Sequence, residues 1–139
     1  MSSSIRTLIR TPNAPQFPSV PINQAIVFDN TIYCSGVIGV DKDTMKMVDS
    51  SFAAEVRQVM RNLSAILQAG NSSLENLLKV TVYLNDINDF ATMNEVYREF
   101  ITSNFPARTG FQVGKLPMNA RVEIDAIAAT GNVRTVIRE

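Results

Sequence analysis

Two segments of the chain carry apolar residues at helical spacing on one side only, and this restricts the folds open to it. In the first, Phe52, Val56, Val59, Met60, Leu63, Ile66 and Leu67 recur every three or four residues. Arg57, Arg61, Asn62 and Gln68 occupy the rest of that helix. In the second, from Asn88 or Asp89 to Ile101, the stripe is Phe90, Met93, Val96, Tyr97, Phe100 and Ile101. A helix with a single apolar stripe needs cover on that side alone. Two such helices therefore suit one face of a β-sheet, an α+β arrangement.

The remaining segments supply the sheet. "SSIRTLI" (3–9) reads as a first strand with Ile5 and Leu8 as its apolar anchors. A proline-punctuated loop (11–21) follows, too long for a tight turn. "QAIVF" (24–28), Asp29-Asn30 and "TIYCSG" (31–36) make a hairpin, its end bracketed by Gly36 and Gly39. Ser51 is the expected N-cap of the first helix, with Glu55 in its first turn and Gly70 as its stop. "SSLE" (72–75) has the form of a capping box opening a short turn. "KVTVYL" (79–84), "RTGFQV" (108–113) and "RVEIDAIAAT" (121–130) are strands. The order β-β-β-α-β-α-β-β requires a mixed sheet. The tail after residue 130 is either an edge strand or frayed. No linker or composition shift interrupts residues 1–139, which form one expected domain.

Composition removes whole classes of function. With 139 residues, a chain buries roughly two-thirds of its unfolded surface. Thirteen basic residues balance thirteen acidic ones, so the charge gives nucleic acid or an anionic membrane little to bind. No apolar run is long enough for a transmembrane helix. Arg6, Arg10 and several hydroxyls precede the first acidic residue, Asp29, as in an organelle transit peptide. Pro12, Pro15, Pro18 and Pro21 would break its amphipathic helix. The expected compartment is thus the cytoplasm, with mitochondrion and nucleus as alternatives. The single cysteine, Cys34, allows no intrachain disulfide. The absence of histidine removes the histidine-dependent triads and the usual zinc sites. No metal or cofactor is expected.

The candidates for chemistry are few. In the last strand Val122 and Ile124 point one way, and Arg121, Glu123 and Asp125 the other. That charged face is either solvated or part of a subunit interface. In "FPARTGFQVGKLP" (105–117), Arg108 lies within an apolar strand and has no acidic neighbour in sequence. A guanidinium stays charged, so a half-buried one needs a partner. Either Glu123 supplies it, if strands 108–113 and 121–130 pair as a hairpin, or a ligand carboxylate does. Cys34 reads as core packing, since nothing nearby in sequence would activate it. Ser35-Gly36 lets a ligand approach the backbone. Asn94 is either a surface residue or a helix-to-loop hydrogen bond.

"FPARTGFQVGKLPMNARVEIDAIA" (105–128) resembles the C-terminal signature of the reactive intermediate deaminase (RidA/YjgF) family. "TIYCSGVIG" (31–39), "KVTVYLNDINDFATMNEVY" (79–97) and the Asn-Gln-Ala of "VPINQA" (20–25) match the same family with the same spacing. The resemblance implies a chorismate-mutase-like α+β fold, a homotrimer and ligand sites between subunits. It implies hydrolysis of small 2-imino acids, such as 2-iminobutanoate and 2-iminopropanoate, to 2-oxo acids and ammonia. Those imines are released by pyridoxal-phosphate enzymes. The hydrolase itself uses no cofactor. Arg108 matches the arginine that clamps the substrate carboxylate, and Glu123 the glutamate that holds the attacking water. Ser35, Gly36, Asn94 and Gly110 match positions near the pocket.

Departures from the family pattern are Ile22 in place of a rim tyrosine, Asn23 in place of a small residue, Thr109 and Gly110. Two other readings therefore stand beside the deaminase. One is a carboxylate-binding or protein-interaction trimer with weakened turnover. The other is an endoribonuclease or translation inhibitor, which neutral charge and the lack of histidine oppose. An apolar rim at Ile22 should favour longer aliphatic 2-imino acids. We expect Ile22→Tyr to lower the rate on a four-carbon-chain imine more than on a two-carbon one. Equal changes, in a matched rate comparison of the two proteins, would refute this.

Overall fold

Ser51 has extended backbone dihedrals (φ −150°, ψ 162°), and its hydroxyl accepts the Ala54 N–H at 3.0 Å. Helix α1 (Phe52–Ala69) starts there. At its other end the Gly70 N–H bonds the carbonyls of Leu67 and Ile66. Gly70 is required less for its own dihedrals than for packing, because a Cβ there would collide with the Ile32 side chain. The computed structural model describes residues 3–139.

The strands are β1 (Arg6–Ile9), β2 (Ala25–Phe28), β3 (Thr31–Val37), β4 (Leu77–Leu84), β5 (Ala107–Gln112) and β6 (Val122–Ala129). Helix α2 spans Phe90–Phe100. They form one mixed sheet in the order β1-β2-β3-β6-β4-β5. Only β4 and β5 are parallel, joined by the α2 crossover that parallel neighbours require. β5 and β6 therefore do not form the expected hairpin. β6 enters between β3 and β4, and β5 is left as an edge strand. The burial of β6 explains its place: Val122, Ile124, Ala126 and Ala128 are each at most 2% exposed. Strands covered this completely lie inside sheets rather than at their edges.

Both helices pack on one face, as their single stripes require. Val56, Val59, Met60 and Leu63 of α1 and Met93 and Val96 of α2 share a core with Val80, Val82 and Leu84. A smaller cluster, Ile38, Val40, Leu116 and Ala120, packs with Phe17 and Tyr83. Most of the second sheet face is left uncovered, with Tyr33 and Phe111 among its exposed residues. Among the described residues, no helix is long and apolar enough to cross a membrane.

Several local expectations fail for identifiable reasons. Ile5 and Leu8 do not anchor β1. Both are exposed, and Ile9, one step along the alternation, is the buried residue. The capping box at 72–75 does not form, because the Ser72 hydroxyl donates to the Ala129 carbonyl at 2.6 Å. Ser73 makes no capping bond to the short turn 74–76. No strand follows β6; Thr130 and Gly131 bond Asn30 and Asn71, and the remaining tail is exposed. Asn62 is buried rather than on the polar side. Its amide donates to the Ile38 and Val40 carbonyls and holds that loop on α1.

Glu55 lies in the first turn of α1, as expected, and is 1% exposed. Its carboxylate accepts the Arg121 backbone N–H at 2.7 Å and the Arg121 Nε–H at 2.8 Å. Arg121 therefore turns away from Glu123 and Asp125 toward α1, stacking over Phe52. A Cβ on Gly39 would lie 2.7 Å from the Glu55 side chain, so only glycine leaves room for it. Glu55→Ala strands the Arg121 N–H and unpairs a charge that is partly exposed. We expect a loss of about 2–4 kcal/mol, measured as a lower urea midpoint at unchanged slope.

Candidate functional site

Helix α2 presents Phe90, Asn94 and Tyr97 at i, i+4 and i+7, on one face. Arg108 of edge strand β5 lies against that face. Its Nη2 donates to the Asn94 Oδ1 at 2.6 Å, and its Cζ sits 4.9 Å from the Tyr97 ring centroid and 5.4 Å from that of Phe90. Ring faces attract a cation but do not neutralise it. Among the described residues no carboxylate lies within ion-pair distance of Arg108. The guanidinium opens on a cavity of about 230 Å³ lined also by Phe105 and Pro106. Gly110, two residues on and on the same face, abuts Phe90; a Cβ there would lie 3.0 Å from that ring. The Tyr97 hydroxyl is buried without a hydrogen-bond partner among the described residues. Burial raises its pKa, and the Arg108 charge opposes that rise.

Glu123 lies elsewhere. Arg108 pairs in register with Val80, whose side chain is under the helices, whereas Glu123 pairs with Tyr83 on the uncovered face. The two are on opposite faces with β4 between their strands. They are offset by about 10 Å along the strands and about 10 Å across them. Glu123 is therefore not the partner of Arg108 within one chain, and the pairing expected from a β5–β6 hairpin is corrected.

Around Glu123 the chain assembles a second group. The β3–β6 register slips between Cys34 and Val37, so Ser35 and Gly36 form a bulge. Gly36 sits beneath the Glu123 carboxylate, and a Cβ there would be 2.5 Å from its Oε2. The Ser35 hydroxyl donates to the Asn23 carbonyl at 2.7 Å. Ile22 is 52% exposed and borders Ser35 and Gly36 in a small cavity. The proline loop that leads to Ile22 is held by one amide. Gln24 accepts the Thr11 N–H and donates to the carbonyls of Thr11, Ala14 and Pro15. Burial first, and the nearby Asp125 charge second, raise the Glu123 carboxyl above its ordinary range. Asp125 itself accepts the Tyr83 hydroxyl at 2.7 Å.

The expected site residues thus fall into two groups. Arg108, Asn94 and Gly110 meet at the edge beside α2, and Glu123, Ser35, Gly36 and Ile22 meet across the sheet. The first group can hold an anion. The second offers a carboxylate that accepts a proton more readily than an ordinary glutamate. Cys34 belongs to neither as a nucleophile, since burial, aided by Asp125, pushes its thiol up to about 12. Among the described residues no cluster of His, Cys, Asp and Glu could hold a metal ion. Sequence reading missed Phe90 and Tyr97, taken there as core stripe. Their spacing about Asn94 was the available signal. It also missed Tyr83, whose strand neighbour was misassigned.

The family described as Endoribonuclease L-PSP matches residues 11–130. The chain is 49% identical over 135 residues to the RutC family protein UK114 of Drosophila melanogaster, covering 97% of each. It is 44% identical over 135 residues to the human 2-iminobutanoate/2-iminopropanoate deaminase, covering 97% of this chain and 98% of that one. Its fold superposes on the crystal structure of E. coli TdcF with bound serine at a TM-score of 0.85. There the identity is 33%, covering 90% of this chain and 99% of that one.

A carboxyl raised by burial and a like charge opposes folding once it ionises. The Glu123 environment thus favours the folded state fully below the ordinary glutamate value, and that contribution is lost as the pH rises through the folded one. We expect Glu123→Gln to raise the urea midpoint at pH 7 and to leave it unchanged near about pH 4. A variant less stable than the parent at pH 7 would refute the assignment.

Proposed function

The chain belongs to the Endoribonuclease L-PSP (RidA/YjgF) family, and from that membership we propose that it hydrolyses small 2-imino acids to 2-oxo acids and ammonia. The observation that carries the reading is Arg108. This guanidinium faces a cavity with a neutral amide as its hydrogen-bond partner and no carboxylate to satisfy it. A planar fork in this state suits a carboxylate, held by charge-assisted bonds worth about 1.5–3 kcal/mol each. The family includes relatives named as 2-iminobutanoate/2-iminopropanoate deaminases, which act on substrates with such a group.

In the proposed reaction Arg108 fixes the substrate carboxylate and Glu123 takes a proton from water. The water oxygen adds to C2 as the C=N π pair moves to nitrogen, which takes that proton from Glu123. The resulting carbinolamine collapses: its hydroxyl proton leaves, the C=O bond forms and the C–N bond breaks. Nitrogen departs as ammonia, with Glu123 moving the proton to it. One water is consumed for each 2-oxo acid and ammonia formed. A raised carboxyl suits this exchange, because a base matched to the working pH gives about 10²–10⁴-fold. No step calls for a metal or redox group.

The separation of Arg108 from Glu123 within one chain supports a site completed by a second copy. We propose a homotrimer of chorismate-mutase-like subunits, with each Arg108 cavity opposed to a neighbour's Glu123. The uncovered sheet face, with Tyr33 and Phe111 exposed beside the carboxylates, is the surface offered for association. Ile22, where the family carries a tyrosine, favours a second reading: a carboxylate-binding trimer of reduced turnover. The endoribonuclease reading has less support, given equal acidic and basic counts and no histidine.

The test couples the protein to a pyridoxal-phosphate dehydratase that releases the imine and follows 2-oxo acid formation. We expect acceleration by the parent chain, none by Arg108→Ala, and a loss of about 10²–10⁴-fold in Glu123→Gln. Co-assembling the two variants in equal amounts should restore activity at about a quarter of the sites, the fraction that pairs an intact Arg108 with an intact Glu123. Absence of restoration would refute the shared site. Carboxylate binding without acceleration would favour the second reading.

A further inference from the structure

Next to the Ser35–Gly36 bulge lies a larger cleft of about 480 Å³, formed by the proline loop. Phe17, Ile22 and Gln24 line both it and the small cavity under the bulge, so the two spaces adjoin. A tyrosine at position 22 would bring a phenol to this junction; Ile22 brings only hydrocarbon. Beyond Ile22, Arg10 is the one charged group among the described residues that lines the cleft.

Arg10 is held in a specific way. Its Nε donates to the Asn23 Oδ1 at 2.9 Å, and among the described residues neither Nη group has a hydrogen-bond partner. The Asn23 carbonyl in turn accepts the Ser35 hydroxyl. A bonded chain therefore runs from the bulge below Glu123, through Ser35 and Asn23, to the Arg10 guanidinium. Among the described residues no carboxylate forms an ion pair with Arg10, and none lines the cleft. Arg10 shares with Arg108 an asparagine oxygen as acceptor at the edge of a cavity, but it is exposed, bonded through Nε and without aromatic cover, whereas Arg108 is half-buried against Phe90 and Tyr97.

We propose that this cleft receives the distal end of the substrate and that Arg10 recognises an anionic group there. On this inference, which rests on the deaminase reading, the preferred substrates are 2-imino acids whose side chain ends in a second carboxylate. Arg108 of a neighbouring copy holds the carboxylate next to the imine, Ile22 packs on the connecting methylenes, and Arg10 receives the far carboxylate. Asn23 orients the Arg10 fork, so that Nη atoms rather than Nε meet the ligand. The position beyond an apolar rim favours side chains of several methylenes over the shortest dicarboxylates.

The stable products serve as probes. Calorimetry on the full chain compares 2-oxoadipate with 2-oxohexanoate, which has the same carbon count and no distal charge. 2-Iminobutanoate hydrolysis is measured in parallel. We expect 2-oxoadipate to bind about tenfold more tightly, as one charge-assisted contact in a half-open cleft permits. Arg10→Gln should reduce that ratio to near one, and Arg10→Lys should keep part of it. A ratio near one in the parent chain, or a preference that persists in Arg10→Gln, overturns the inference while intact 2-iminobutanoate hydrolysis leaves the deaminase reading standing. If neither acid binds and no imine is hydrolysed, both fall.

Discussion

The buried carboxylate of Glu55 fixes where the last strand enters the sheet. It receives two N–H groups of Arg121, one from the backbone immediately before β6 and one from the side chain. This ties the first turn of α1 to the start of the most buried strand. A carboxylate in this position is costly unless fully bonded, and the two donors with Gly39 beneath supply what it needs. With β6 seated centrally, β4 must pair on its far side, and the strand after α2 has only the outer edge left. The position of Arg108 at that edge thus follows from a contact well away from it.

Arg108 and Glu123 sit in opposite electrostatic surroundings. Arg108 keeps its charge available because its contacts are aromatic faces and an amide oxygen, none of which neutralises it. Glu123 is driven the other way by burial and a like charge, so it holds a proton more readily. Placed side by side in one chain, the two would form an ion pair and cancel each other's use. Separation across the sheet leaves the guanidinium unpaired and the carboxyl raised, each unaffected by the other.

Much of this was readable in advance. The helices, the hairpin and the mixed sheet followed from stripes, caps and alternation, because those signals are local. The position of β6 did not, since strand order is decided by burial and crossover geometry rather than by adjacency in sequence. That single error produced the Glu123 alternative for the partner of Arg108, the ligand alternative standing beside it. The residues missed beside Arg108 share a cause. Phe90 and Tyr97 fit an apolar stripe, and nothing in the periodicity says which stripe residues also face a cation. Asn62 was placed on the polar side, and the burial of Glu55 was not foreseen, because their buried partners, the 38–40 loop and Arg121, are distant in sequence.

Gln24 bears on how such a protein diversifies. One amide satisfies four backbone groups of the proline loop, so the path of the chain there depends on a residue that is not itself in the loop. The side chains from Gln16 to Ile22 are relieved of that duty, and most of them are exposed. They behave as interchangeable panelling on a fixed frame. What the cleft admits can then drift by single substitutions at little expense to folding, while the frame and the two reactive groups stay as they are.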